Sequence, residues 1–138
     1  MREARSRDER VRRGDLAGAV GNAQSLADDV DAITRRAARY SSAITAAIAG
    51  RDRLLAPGGT ATAATIAHFE RYLRRLRHDL DAIRGEMRRA EARHRGQLEA
   101  VDAARGRLTL ARAEREVIER HFAAWRAERR KLAERRAD

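Results

Sequence analysis

The chain has 138 residues, of which 38% are charged and only 4% aromatic, and its formal net charge is +10. This composition excludes a thick globular core and favours long helices that meet along narrow seams, so we expect an elongated molecule. The absence of cysteine excludes disulfides and thiolate metal sites. The chain starts without an apolar leader and has no run long enough to span a membrane, so we expect a cytoplasmic protein without membrane insertion.

The first predicted helix covers about residues 1–55. Its apolar residues recur at alternating steps of three and four from Leu16 to Leu54, and Arg51 is the one polar exception. This rhythm is typical of a helix that packs against a partner along one stripe, the seam of a coiled coil.

The first helix is predicted to be weakest before residue 25. Gly14, Gly18 and Gly21 each lower helix stability by about 1 kcal/mol relative to alanine. Asn22 or Ser25, followed by three aspartates, supplies the residue types that cap and start a helix. A firm helix is therefore predicted from about residue 25 onward.

Residues 56–60 form the predicted bend. Pro57 biases the preceding residue away from helical angles, and Gly58 and Gly59 can adopt the positive φ that a reversal needs. A connection this short places two helices side by side and antiparallel.

The second predicted helix covers about residues 61–136. Its three-and-four rhythm runs from Ile66 to Arg136 without a slip, and 16 of the 21 seam positions are apolar. The predicted fold is therefore all-α: an antiparallel two-helix coiled-coil hairpin, in one domain, with a longer, overhanging C-terminal helix.

The lengths of the two helices set how far they pair. With the bend centred near Gly58, residue i lies opposite roughly residue 116 − i, so Tyr40 is expected near Leu76 and helix 1 is expected to cover helix 2 only to about Arg115. The seam continues beyond that point, and an uncovered apolar stripe marks an interaction surface. The alternatives are that it closes a homodimer or that helix 1 slips to cover it. The predicted partner-binding residues of the overhang are Ile118, Phe122, Trp125, Arg126, Arg129, Arg130, Leu132 and Arg136.

No motif for catalysis is present. The chain has no phosphate-binding glycine loop, no nucleophile elbow and no zinc-binding HExxH, and its four histidines are scattered along the helices. We therefore expect no enzyme activity, no metal site and no cofactor.

The positive charge raises the possibility of nucleic-acid binding. Most arginines alternate with acidic residues, as in Glu114-Arg115-Glu116, which is typical of a solvated helix face. Nucleic acid is therefore a less favoured partner than protein, and a basic nucleic-acid-binding coiled coil stays a further alternative.

The architecture and certain residues resemble the FliJ/YscO-type central stalk proteins of type III secretion systems. The second helix opens with Phe69, Leu73, Leu76 and Leu80 and closes with a basic segment that starts at Trp125. The resemblance implies a non-catalytic stalk at the base of a secretion or virulence apparatus, with a secretion ATPase hexamer bound near the free helical end. It also implies contact with the cytoplasmic domain of the export gate near the bend, through Tyr40, Ile44, Phe69, Leu73 and Leu76. Secretion chaperones and a second copy of the chain are further candidate partners, and a self-assembling structural coiled coil is the alternative function.

Overall fold

The computed structural model describes residues Met1 to Asp138 and contains two helices and no strand. Helix α1 is Arg2–Leu55, with 54 residues, and helix α2 is Ala63–Ala137, with 75 residues. The two helices pack against each other as an antiparallel hairpin, so the predicted all-α fold is confirmed. Neither helix contains a stretch that is long and apolar enough to cross a membrane.

Helix α1 is continuous from Arg2. This agrees with the predicted extent of about residues 1–55. Asn22 and Ser25, whose residue types can start a helix, do not start one, and Gly14, Gly18 and Gly21 all lie within unbroken helix. The physical reason is that this part of α1 packs against α2, and packing overrides local propensity.

The bend spans residues 56–62 and is longer than predicted at its C-terminal side. The amide of Gly59 donates a hydrogen bond of 2.9 Å to the carbonyl of Ala56, and Gly58 has a φ of +82°. Pro57 in the second position and a left-handed glycine in the third are the signature of a type II turn.

Thr62 begins the second helix. Its hydroxyl accepts a hydrogen bond of 3.1 Å from the amide of Thr65, and its carbonyl accepts one of 3.0 Å from the amide of Ile66. Thr62 is therefore the N-cap of α2, which explains why the helix begins at Ala63 and not near residue 61.

The chain divides into two compact units. The bend-proximal unit is Gln24–Arg95, and the terminal unit consists of Met1–Ala23 and Gly96–Asp138. Both helices contribute to each unit, and each unit has its own buried residues.

The bend-proximal unit has an apolar core. Leu73 is fully buried, and Leu76 and Ala47 lie beside it. Tyr40, Ala43, Ile44 and Ile48 of α1 pack against this cluster. Farther along α2, Leu80, Ile83 and Ala90 are also buried. Every buried position of α2 in this unit lies on the predicted seam, so the seam prediction is confirmed here.

Ion pairs and one close approach accompany this core. Arg36 pairs with Glu86 at 3.1 Å, and Arg51 pairs with Glu70 at 2.9 Å. The hydrogen bond to Glu70 raises the pKa of Arg51 above its ordinary value. Gly50 of α1 lies against the Phe69 ring, and a Cβ at this position would lie at an ordinary contact distance of 3.5 Å from the ring edge, so the contact does not require glycine.

The terminal unit has a thinner core. Ala23 of α1 and Val101, Ala104, Leu108 and Ala111 of α2 are buried, again on seam positions. The side-chain amide of Gln97 donates a hydrogen bond of 3.1 Å to the carbonyl of Ala19 across the interface. This bond joins a polar seam residue of α2 to the backbone of α1 and so favours one register of the two helices.

Candidate partner-binding site

The C-terminal segment of α2 carries the residues predicted to bind a partner. We define it as residues 117–136, in the terminal unit. Helix α1 extends farther along α2 than predicted. Arg5 was expected opposite residue 111, but it pairs with Glu114. The reason is the longer bend, which moves the centre of the reversal towards α2.

The start of the C-terminal segment consequently lies beside Met1, the residue that precedes α1. Met1 lies beside a shallow pocket of about 440 Å³. The other lining residues are Val117, Ile118, His121, Phe122 and Trp125. Ile118 is half-buried, whereas the exposed fraction rises to 37% at Phe122 and 48% at Trp125. Thus, among the seam positions of the segment, those from Phe122 onward are uncovered.

Trp125 and Arg129 form a local pair. The guanidinium carbon of Arg129 lies 5.1 Å from the centroid of the indole ring, which is cation–π geometry. Leu132 is 51% exposed and lines a surface depression with Arg129, Ala133 and Arg136. Apolar and basic side chains therefore share one surface.

The charge of the segment is unbalanced at its end. Residues 126–136 contain six cations and two carboxylates, Glu128 and Glu134. Arg126, Arg129, Arg130 and Arg136 are exposed, and no cation of this stretch forms an ion pair within the chain. The surface can therefore bind an acidic partner without first breaking internal pairs.

The predicted gate-contacting residues near the bend are less exposed than those of the C-terminal segment. Leu73 and Leu76 are buried in the core, whereas Tyr40, Ile44 and Phe69 are half-buried. Any partner at this place meets only the outer edges of these three side chains. Leu55 and Tyr72, which were not predicted, are exposed nearby in sequence.

A buried charge cluster in the terminal unit was missed. Glu9 is only 3% exposed, and its carboxylate lies 3.0 Å from Arg13, 2.7 Å from Arg115 and 3.5 Å from Arg112. The contact between Arg115 and Oε2 of Glu9 is an ion pair without hydrogen-bond geometry. Both Glu9 Oε2 and Arg115 Nε are buried and have no hydrogen-bond partner. The sequence signal was available, since steps of three and four continued upstream from Leu16 reach Arg12, Glu9 and Arg5.

No group of three or more histidine, cysteine or acidic side chains is arranged to hold a metal ion. No protein-family model, curated protein or solved structure matches the chain. The geometry alone defines the class of protein: a helical hairpin with an exposed apolar and basic C-terminal segment.

Proposed function

We propose that the protein is a non-catalytic stalk or adaptor of a type III secretion export apparatus. Its C-terminal segment binds the hexameric secretion ATPase, and its bend-proximal unit contacts the cytoplasmic domain of the export gate. The observation that carries the proposal is the uncovered surface of Phe122, Trp125 and Leu132 among unpaired cations.

The mixture of side chains suits a ring-shaped partner. A single helix that enters a ring of six identical subunits meets the same surface several times, so it needs many weak contacts around its circumference. Apolar side chains at seam positions, together with arginines both on the seam and on the other faces, provide such contacts. An acidic collar on the ring would complement the six cations of residues 126–136.

The gate contact rests on the family resemblance. The half-buried Tyr40, Ile44 and Phe69 offer a partial apolar surface there, beside the exposed Tyr72. Because the core residues Leu73 and Leu76 are inaccessible, this contact is expected to be weaker than the ATPase contact.

The test uses the full-length protein and the secretion ATPase of the same organism. Removing the aromatic surface with Phe122→Ala and Trp125→Ala is expected to weaken ATPase binding about tenfold or more, as for an interface hot spot. Tyr72→Ala is the matched control, because Tyr72 and Phe122 are both 37% exposed. Binding is measured by calorimetry, and ATP turnover is measured with and without each variant.

The charge contribution is tested separately. Arg129→Glu with Arg130→Glu is expected to abolish binding, and the equivalent reversal of the exposed neighbours Arg74 and Arg75 is the control. Binding and turnover that are unchanged by both sets of C-terminal variants would overturn the proposed function.

A self-assembling coiled coil is the second candidate. The observation that favours it is the regular continuation of the seam through Phe122, Trp125 and Leu132, which a second copy could cover. The six cations of residues 126–136 oppose the pairing of two such segments. Sedimentation at micromolar concentration separates the candidates, because an obligate assembly has no monomer there.

A further inference from the structure

A second pocket lies next to the Met1–Trp125 pocket in the terminal unit. It has a volume of about 260 Å³. Its walls include Arg5, Asp8 and Arg12 of α1 and Arg107, Leu110 and Glu114 of α2. The two pockets occupy successive turns, since Glu114 of one is followed by Val117 and Ile118 of the other.

Both pockets open on the same side of the two helices. Arg107, Glu114 and His121 of α2 are spaced by seven residues. Met1, which directly precedes α1, and Asp8 of α1 have the same spacing. Residues seven apart lie two turns apart on one face of a helix. The pockets therefore form one groove between α1 and α2, which we call the lateral groove.

An apolar row follows the lateral groove. Leu110 is 62% exposed and Val117 is 61% exposed, and they too are seven residues apart. They lie outside the seam, so packing against α1 does not account for them. Gly106 and Ala113 next to this row have no side chain that would keep a partner backbone away. Apolar residues at heptad spacing with small neighbours are the surface on which a further helix packs.

The free charge of the groove is positive. Asp8 is paired with Arg12, and Glu114 is paired with Arg5. Arg107 has no ion-pair partner in the chain. Both carboxylates of the groove are thus already paired, and Arg107 is unpaired. This charge distribution favours acidic residues on a helix that binds in the groove.

We propose that the lateral groove binds a third helix, an acidic amphipathic segment of a partner protein. Its apolar face covers Leu110 and Val117 and inserts a side chain into the pocket beside Phe122, and its carboxylates pair with Arg107. This inference does not depend on the secretion assignment, because it is argued from the exposed apolar row and the unpaired Arg107 alone. The groove overlaps the start of the C-terminal segment at Val117 and Phe122, whereas Arg107 and Leu110 lie outside that segment.

The test is a selection of binding peptides from a library that contains both acidic and basic sequences. A displayed library of helical peptides of about 21 residues, three heptads, has leucine at each a and d position and alanine, glutamine, glutamate or lysine elsewhere. Selection on the full-length protein is expected to enrich glutamate-rich peptides whose binding changes the fluorescence of Trp125. Leu110→Glu with Val117→Glu is expected to weaken binding about tenfold or more.

The controls locate the binding face and the charge preference. Leu98→Glu changes an exposed leucine of α2 that lines neither pocket, and it is expected to leave binding unchanged. Arg107→Glu is expected to shift the enriched peptides from glutamate to lysine. Unchanged unfolding midpoints show that the variants are folded.

Three results would overturn the inference: no enrichment, enrichment of lysine-rich peptides by the wild-type protein, or binding that survives the double substitution at Leu110 and Val117. A wild-type dimer that this substitution converts to monomer would also overturn it, since a second copy would then occupy the groove. Arg107 lies outside residues 117–136. A changed peptide preference of Arg107→Glu with intact ATPase binding therefore separates this site from the site of the proposed function.

Discussion

Glu9 is the residue at which the seam departs most from an apolar stripe. Its burial places a carboxylate between the helices, and the arginines around it compensate the loss of solvation. Such a group contributes more to the specificity of pairing than to net stability, because a slipped register would leave the charge buried without its partners. Glu9 thus defines which part of α2 lies opposite the start of α1.

Glu9→Gln is expected to destabilise the protein by about 1–3 kcal/mol, since it removes the charge from a buried, hydrogen-bonded group and leaves Arg115 without its counter-ion. The lower half of this range is favoured, because the arginines retain access to water. Urea unfolding followed by circular dichroism measures the change. Glu3→Gln, at an exposed position of the same helix, is the control and is expected to stay within about 0.5 kcal/mol of wild type. Equal effects of the two substitutions would contradict a structural role of Glu9.

The sequence predicts single residues unevenly. Leu73, Leu80 and Ile83 were predictable as core because apolar residues at seam spacing can be satisfied only by a facing helix. Glu9 was missed because a seam traced through apolar residues ends at Leu16, although the register itself continues. The role of Thr62 as a cap was also missed, because a run of threonines around the bend offers several equivalent candidates.

At the scale of elements, the bend and the start of α1 use glycine for opposite reasons. A Cβ on Gly59 would lie 2.3 Å from the carbonyl oxygen of Leu54, so no other residue fits there without rearrangement. A Cβ on Gly14 would meet nothing within 4 Å. Gly59 is therefore required by the turn, whereas Gly14 only lowers the stability of the helix.

Gly59→Ala and Gly14→Ala are expected to shift stability in opposite directions. The first is expected to destabilise the protein by about 1–3 kcal/mol through overpacking against the backbone. The second is expected to stabilise it by about 0.5–1 kcal/mol through higher helix propensity. Both are measured by the denaturant midpoint of the full chain. A destabilising Gly14→Ala would show that this position needs glycine in the folded protein.

Thr62→Ala is expected to cost about 0.5–2 kcal/mol, because the amide of Thr65 loses its side-chain acceptor. Thr60→Ala is the control, since the hydroxyl of Thr60 makes no hydrogen bond within the chain. Hydrogen exchange of the amides at the start of α2 measures the loss directly. Faster exchange at Thr65 in the Thr62 variant alone is the expected pattern.

The existence of both helices, their antiparallel order and the place of the bend were predictable from periodicity and from one Pro-Gly-Gly sequence. The extent of pairing was not. The residue at the middle of the bend was estimated from sequence without knowing where the turn ends and where the cap of α2 lies. An error of a few residues in this midpoint changes which residues of α2 lie opposite the start of α1, and so whether Ile118 is covered. The lateral groove was equally hidden, because Leu110 and Val117 lie off the seam and gain meaning only beside α1.

At the scale of the whole molecule, the end of α2 is expected to be separable from folding. Residues 126–138 contain no buried side chain. Their deletion is expected to change the free energy of unfolding of the remaining chain by no more than about 0.5 kcal/mol. The same deletion is expected to abolish binding to the secretion ATPase. A deletion that unfolds the chain would instead give these residues a structural role.

The single short bend also determines the order in which the hairpin can assemble. The contacting pairs are 19 residues apart at Arg51 and Glu70, 50 at Arg36 and Glu86, 78 at Gln97 and Ala19 and 109 at Arg5 and Glu114. Closing the longest of these loops from the unfolded chain costs about 1.5 kcal/mol more than closing the shortest. Zipping from the bend outward avoids that difference, because each new contact then closes only a small additional loop. The contacts around Glu9 are consequently expected to form last and to open first.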